Sequence, residues 1–206
     1  MPPVRVHRHV LFDLFGVIAR TQSPEGRARI ERVFGPPGGT EFWDAYWALR
    51  QPYDRGDQLG PDYWQSVAAK VGTAPLPDDR VAALVTADVA SWDDVDDEMV
   101  GYLGALKSRG TRLGLLSNIP AELATHYERR HGWLKTFDVV AFSSRIGHAK
   151  PEPEAYDWCA AALGAPPDDI LFVDDRAENV TAARAAGMRS HLFTGAPGLR
   201  AVLDET

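Results

Sequence analysis

Short apolar runs alternate with amphipathic stretches over much of the chain. The first run extends from His9 to about Phe15, is bounded by Gly16, and predicts a buried strand. Later runs predict strands at 112–117, 138–143, 170–174 and 189–193. The stretches between them predict helices at about 96–109, 120–130, 151–163 and 177–186. Strands that alternate with helices predict an α/β fold with a doubly wound parallel sheet.

A second pattern occupies residues 20–90, where amphipathic stretches follow one another and no strand is predicted. Helices are expected at 25–34, after Thr40, after Pro61 and at about 77–89, with a loop from Pro52 to Gly60. The chain therefore divides into a core, 1–19 and 91–206, and a helical insert, 20–90. Because the insert follows the first strand, it leaves from the carboxyl edge of the sheet, where it is placed to act as a lid.

Composition narrows the functional classes. The 206 residues are enough for one domain with a small insert, and the net charge of −7 argues against nucleic acid as a partner. The single cysteine, Cys159, fits a reducing compartment, and no apolar run approaches the roughly 18 residues of a membrane span. We expect a cytoplasmic monomer or homodimer, without a nucleic-acid or membrane partner, that acts on a small molecule.

Polar residues follow the predicted strands at four places. These are Asp13, the pair Ser117–Asn118, Lys150 ahead of a helix, and the pair Asp174–Asp175. The carboxyl ends of parallel strands share one edge of a sheet, which is the usual ligand crevice of such folds. We therefore expect carboxylates, a hydroxyl, an amide and an ammonium group to meet in one crevice.

These residue types suit magnesium and phosphate. Mg²⁺ takes oxygen ligands, which Asp13, Asp175 and the backbone carbonyl of Phe15 can supply. Lys150 and the Ser117 hydroxyl suit the oxygens of a phosphoryl group, and Asp13 can act as a nucleophile that forms an aspartyl-phosphate.

Four segments in order, residues 9–19, 112–118, 133–163 and 170–188, resemble the four motifs of the haloacid dehalogenase superfamily. The resemblance implies a Rossmann-like core, and the insert resembles the small helical cap of that family. The sequence YDRGD at 53–57 is similar to the subgroup that contains bacterial sugar-phosphate phosphatases such as glucose-1-phosphate phosphatase.

The resemblance implies a role for each matched residue. Asp13 would be nucleophile and metal ligand, and Asp175 would hold Mg²⁺. Asp174 would contact the metal directly or through water. The residues implied to bind the phosphate or substrate are Ser117, Lys150 and Asn118, the last of which would alternatively support the site.

One position departs from the family pattern. Family phosphatases carry a second aspartate two residues after the nucleophile as general acid and base, whereas this chain has Phe15 there. Losing such proton transfer typically costs roughly 10²- to 10⁴-fold in rate. Asp174, Asp54 or the substrate-binding candidate Arg20 could assist instead. Otherwise the substrate has a good leaving group, or the enzyme is weak.

Two rival functions follow from Phe15. A non-acidic residue at this position also occurs in the family's haloacid dehalogenases, in which the aspartate attacks carbon without a metal. The pair Asp174–Asp175 favours a cation, and therefore phosphate, over that alternative. A non-catalytic binding protein is the other alternative.

Several further side chains have expected structural roles. The histidines, including His126 and His131, show no metal-ligand spacing and are expected to be structural or on the surface. Trp47, like Trp43 and Trp64, is expected in the insert core rather than against substrate. Arg50, with Tyr53 and Arg55, could equally face a substrate or be solvated.

Overall fold

The computed structural model describes residues 8–204, so residues 1–7 and 205–206 of the predicted core lie outside the described part. Its centre is a five-stranded, wholly parallel sheet in the order β3-β2-β1-β4-β5. The strands are β1 His9–Phe12, β2 Arg112–Ser117, β3 Val139–Phe142, β4 Ile170–Asp174 and β5 Arg189–Leu192. The predicted doubly wound α/β architecture is confirmed.

Strand β1 lies in the middle of the sheet and aligns the ends of its neighbours. Phe12 pairs with Leu115 of β2 and with Val173 of β4. The pairing extends one residue further, because the Asp13 amide donates to the Val173 carbonyl at 2.8 Å. The residues that end or follow these strands therefore meet at one edge of the sheet.

Five helices form the insert. They are α1 Pro24–Phe34, α2 Gly39–Ala48, α3 Arg50–Arg55, α4 Gly60–Lys70 and α5 Asp78–Ser91. They enclose a hydrophobic cluster of their own, centred on buried aromatic side chains such as Phe42, Tyr46 and Trp64. The insert therefore has its own core, which burial of apolar surface stabilises separately from the sheet.

Helix α3 contradicts the predicted loop from Pro52 to Gly60. Pro52 is the third residue of the helix. Amides in the first turn have no acceptor within the helix, so the proline ring removes nothing that the helix needs. Gly56, with φ of +86°, then ends the helix in a left-handed conformation. The loop is therefore shorter than predicted and begins after Arg55.

Six helices complete the core. They are α6 Asp97–Ser108, α7 Ala121–Arg130, α8 Ser143–Ile146, α9 Pro153–Leu163, α10 Ala177–Ala185 and α11 Ala196–Asp204. Side chains of β1 alternate between two apolar clusters: Val10 and Phe12 join one, and Leu11 joins the other. Both faces of the sheet are thus covered. None of the helices in 8–204 is long and apolar enough to cross a bilayer.

Direct contacts join the insert to the core near the sheet edge. The Ser143 hydroxyl donates to the Asp54 carbonyl at 2.5 Å and accepts from the Ile119 amide at 2.8 Å. The Gly60 amide donates to Glu122 at 2.7 Å. Helix α3 is therefore fixed against the segment that follows β2.

Candidate active site

Asp13 lies directly beyond the central strand and is buried, with 6% of its surface exposed. Its Oδ1 atom accepts from the Leu14 amide at 2.7 Å and lies 2.6 Å from the Lys150 ammonium. Burial raises the pKa of the Asp13 carboxyl, the Lys150 ammonium opposes that rise, and the charge of Asp174 adds to it. The carboxylate is thus held in a defined orientation beside a cation.

Lys150 connects the carboxylates at the ends of two strands. Its ammonium lies 2.6 Å from Asp13 Oδ1 and 2.8 Å from Asp174 Oδ2. Burial alone would lower the pKa of Lys150, but the two carboxylates outweigh burial and raise it. Lys150 is therefore a cation.

Asn118 fixes the backbone of Lys150 from the neighbouring strand end. Its amide nitrogen donates to the Lys150 carbonyl at 2.7 Å, and its oxygen accepts from the Lys150 amide at 2.8 Å. Both polar atoms of the Asn118 side chain thus bind the backbone of Lys150. This fits the alternative that Asn118 supports the site rather than contacting the substrate.

Asp174 is fully buried and accepts several hydrogen bonds. Its oxygens accept from Lys150 at 2.8 Å, from Asn179 at 3.0 and 3.1 Å, and from the Arg176 amide at 2.8 Å. Burial would raise the pKa of Asp174, but Lys150 and these donors hold it below its usual value. Asp174 is therefore an anion that orients Lys150.

Three carboxylates meet at the sheet edge. Oxygen atoms of Asp13, Asp174 and Asp175 lie within 4.8 Å of one another. Burial, and then the charge of Asp174, raise the pKa of Asp175. Gly16 leaves space for the Asp175 carboxylate beside the loop after β1. Three converging carboxylates, two of which, Asp13 and Asp175, have raised pKa values, are a donor set that fits a hard divalent cation.

Ser117 ends strand β2 with its side chain fully buried. Among the described residues its hydroxyl has no hydrogen-bond partner. A buried hydroxyl without a partner costs free energy, on the order of 1–3 kcal/mol, unless a ligand or water satisfies it. This observation fits a hydroxyl that binds an anion in the crevice.

Phe15 belongs to a wall of aromatic side chains. Its ring centroid lies 4.8 Å from that of Trp92 and 5.7 Å from that of Tyr127. Trp47 continues the wall with an edge contact to Trp92 at 6.2 Å and is 48% exposed. The expectation that Trp47 belongs to the insert core is therefore wrong, whereas Trp43 is buried there as expected.

A cavity of about 710 Å³ lies between the sheet edge and the insert. The core contributes Asp13, Lys150 and Asp175, and the insert contributes Arg50 and Asp54. The lining residues that the sequence did not single out are Thr21, Gln51, Trp92, Pro151, Arg176 and Glu178. Most come from loops or helix starts, where no apolar pattern marks a functional side chain.

Three predicted site residues do not line the cavity: Ser117, Asp174 and Arg20. Ser117 and Asp174 are fully buried and directly precede lining residues in the chain, whereas Arg20 lies at the surface. Its side chain is 66% exposed and lies 3.7 Å from Asp94, and it does not line the cavity. The chain turns outward at this position, so we do not retain Arg20 as a substrate-binding residue. The backbone carbonyl of Phe15 as a metal ligand stays a prediction.

A second group of potential ligands lies where the insert returns to the core. Both His126 and His131 bring Nε2 to Asp93 Oδ1, at 2.9 and 2.7 Å, and potential ligand atoms of the three side chains lie within 4.8 Å of one another. Sequence spacing missed this group because Asp93 is distant in the chain. Arg130, 3.0 Å from Asp93 Oδ2, already balances that carboxylate. We interpret the group as an ion-pair cluster.

Comparison with known proteins identifies the family of the chain. A model of the haloacid dehalogenase-like hydrolases matches residues 7–187. A phosphoglycolate phosphatase of Cereibacter sphaeroides is 28% identical over 191 residues, covering 90% of this chain and 84% of that protein. The sesquiterpene phosphatase astK of Aspergillus oryzae is 27% identical over 179 residues, covering 86% and 85%.

Among solved structures, a haloacid dehalogenase family enzyme of Bacteroides thetaiotaomicron, in complex with magnesium and inorganic phosphate, has a TM-score of 0.70. It is 19% identical, and the match covers 89% of this chain and 92% of that one. Because the family model spans most of the chain and the parallel sheet agrees, the chain belongs to the haloacid dehalogenase-like hydrolases.

Proposed function

We propose that the protein is a Mg²⁺-dependent phosphomonoester hydrolase that works through an aspartyl-phosphate. One observation carries this proposal: the buried Asp13, Lys150 and Asp174 form a charged cluster with the partly exposed Asp175, and Asp13, Lys150 and Asp175 line the cavity. A nucleophilic carboxylate, a fixed ammonium and a cation site are what phosphoryl transfer needs, since it depends mainly on positioning and charge neutralisation.

In this proposal Asp13 attacks the phosphorus atom of the substrate. Lys150 neutralises a phosphoryl oxygen, and the unpartnered Ser117 hydroxyl donates to another. Asn118 positions Lys150 through its two backbone hydrogen bonds. Water then releases phosphate from Asp13.

Asp13 and Asp175 would hold Mg²⁺, with the Phe15 carbonyl as a third protein oxygen. Bound there, the ion would supply charge neutralisation for the phosphoryl oxygens. Asp174 already accepts four hydrogen bonds, one of them from Lys150. We therefore propose that Asp174 mainly holds Lys150 and would contact the metal only through water.

The substrate we propose is a small phosphorylated metabolite. The cavity is lined by the aromatic residues Phe15, Trp47 and Trp92 and by the polar residues Arg50 and Gln51. A sugar phosphate could place its hydroxyl groups against the polar residues and its ring against the aromatic ones. The two phosphatase relatives, for phosphoglycolate and for a sesquiterpene, support a phosphate ester more generally.

The test compares product release with and without Mg²⁺. We expect inorganic phosphate from a panel of phosphorylated metabolites only when Mg²⁺ is present. Because Phe15 is not acidic, a dehalogenase is the second candidate function. Halide release from a 2-haloacid without metal would favour it. Release of neither product would favour a binding protein and contradict the proposal.

A further inference from the structure

Because residue 15 is a phenylalanine, the leaving group of the proposed reaction lacks its usual proton donor. A phenyl ring carries no exchangeable proton, and this one is packed between Trp92 and Tyr127. A side chain that donates this proton must therefore be another one that lines the cavity.

Four carboxyl groups line the cavity, and three of them are already paired, clustered with other carboxylates or exposed. Asp13 pairs with Lys150, and Asp175 belongs to the cluster of three carboxylates. Glu178 is more than half exposed and pairs with Arg176. The remaining carboxyl is Asp54, on helix α3 of the insert, whose side chain is only 14% exposed.

The charges around Asp54 are unbalanced. Arg50 lies between two carboxylates, with Nε 2.8 Å from Asp54 Oδ1 and Nη1 2.9 Å from Asp88 Oδ2. Asp88 also accepts from the Tyr46 hydroxyl at 2.6 Å and from Gln22 at 3.3 Å. Among the described residues, Asp54 accepts a side-chain hydrogen bond from Arg50 alone, at Oδ1. One guanidinium cannot balance two buried carboxylates, so a proton belongs on Asp54, which has fewer donors.

The position of Asp54 is fixed relative to the catalytic edge. Ser143 ties the Asp54 carbonyl to the Ile119 amide, one residue after Asn118. Gly56 approaches the Ser144 carbonyl so closely that an added Cβ would lie 2.9 Å from it. The backbone of Asp54 is thus held against the core, and its side chain lines the same cavity as Asp13.

We propose that Asp54 is the proton donor to the leaving group, taking the place of the acid that Phe15 lacks. The inference rests on the proposed function. As Asp13 forms its bond to phosphorus, the bond from phosphorus to the leaving oxygen breaks, and that oxygen takes the Asp54 proton. In the second step water attacks phosphorus, Asp54 takes the proton of that water, and the bond from Asp13 to phosphorus breaks. Both carboxyls return to their starting states.

The electrostatic environment agrees with this role. Burial raises the pKa of Asp54 to about 6, with Arg50 opposing the rise and Asp88 adding to it. The other charged or titratable groups around it are Arg176 of the core and Tyr63 of α4. A carboxylic acid whose pKa lies near neutral pH is suited to give and take a proton.

The test measures kcat/KM with Mg²⁺ for two aryl phosphates, 4-nitrophenyl phosphate and phenyl phosphate, from pH 5 to 8. Phenoxide needs a proton to leave and nitrophenoxide does not. For the wild type we expect kcat/KM on phenyl phosphate to fall as the pH rises past about 6, relative to 4-nitrophenyl phosphate. This comparison needs no variant, so it holds whether or not a substitution disturbs folding.

Substitution sharpens the test. We expect Asp54→Asn to lower kcat/KM on phenyl phosphate by roughly 10²-fold or more. Its kcat/KM on 4-nitrophenyl phosphate should change far less, and the difference in pH dependence between the two esters should disappear. Asp57→Asn is the matched control, since Asp57 pairs with Arg55 outside the cavity. Adding Phe15→Asp to Asp54→Asn is expected to restore hydrolysis of phenyl phosphate.

If Asp54→Asn lowers kcat/KM equally on both esters and the difference in pH dependence remains, the inference is overturned. Asp54 then has a structural role. In that case phosphatase activity that requires Asp13 would leave the proposed function intact. If the wild type hydrolyses neither ester nor any phosphorylated metabolite, the proposed function fails and the inference with it.

Discussion

Gly16 and Asp175 approach each other so closely that no side chain fits between them. A Cβ atom on residue 16 would lie 2.1 Å from Asp175 Oδ2, and the backbone of Gly16 has φ of +86°. The approach brings the fourth polar segment of the chain against the loop that follows Asp13. Glycine is thus required here both for conformation and for space.

Gly16→Ala is expected to displace Asp175 and abolish most Mg²⁺-dependent phosphatase activity. The matched control is Gly110→Ala, because Gly110 has the same φ of +86° but nothing within 4 Å of an added Cβ. Both variants should lose stability from backbone strain, on the order of 1–2 kcal/mol for Gly110→Ala, and only Gly16→Ala should lose activity. Thermal unfolding and phosphate release measure the two effects. Similar activity in the two variants would show that the contact with Asp175 is unimportant.

Asp13→Asn should abolish turnover and leave the fold intact. The amide cannot form an acyl phosphate, and it fits the same space. Because burial raises the pKa of Asp13, the folded protein disfavours its charge, so a neutral side chain should not greatly destabilise the protein. Phosphate release and thermal unfolding, measured on the same preparation, check both statements. Full phosphatase activity in this variant would exclude Asp13 as the nucleophile.

Phe15→Asp should raise hydrolysis of esters with poor leaving groups more than hydrolysis of activated esters. The new carboxyl would occupy the position at which family phosphatases carry their acid and base. The expected measurement is a larger gain in kcat/KM for phenyl phosphate than for 4-nitrophenyl phosphate. Thermal unfolding should show some loss of stability, because the ring contacts with Trp92 and Tyr127 are removed. Equal gains on the two esters would remove Phe15 from the explanation.

The buried Asp54 carboxyl should also make stability depend on pH. Its pKa is raised to about 6 in the folded protein, against about 3.9 for an unperturbed aspartate. Between these values the folded chain binds more protons than the unfolded chain, so the free energy of unfolding decreases as the pH rises. The free energy of unfolding of the wild type minus that of Asp54→Asn should therefore fall by up to about 3 kcal/mol between pH 4 and 7. Urea unfolding at several pH values measures this difference, and a constant difference would contradict the raised pKa.

Much of the fold and the base of the site could be predicted because both depend on local pattern. The apolar runs of β2 and β4 each end in polar residues, and a parallel sheet brings such ends together. Ser117 and Asp174 could therefore be placed at one edge before any coordinates were known.

The rest depends on contacts between segments that are distant in the chain. The pairing of Arg50 with Asp88 joins two insert helices, and no spacing in the sequence indicates it. Trp47 and Trp92 carry the same apolar signal as core tryptophans, although they line the cavity. The prediction of a loop at Pro52 gave too much weight to proline, which the first turn of a helix accepts.

The hydroxyl of Ser143 joins the insert to the sheet edge by contacting Asp54 on one side and Ile119 on the other. The Gly60–Glu122 hydrogen bond and the Arg55–Glu152 ion pair hold the insert to the core as well. The insert is therefore anchored over the sheet edge at several points, so that loss of one of them, as in Ser143→Ala, leaves the others in place.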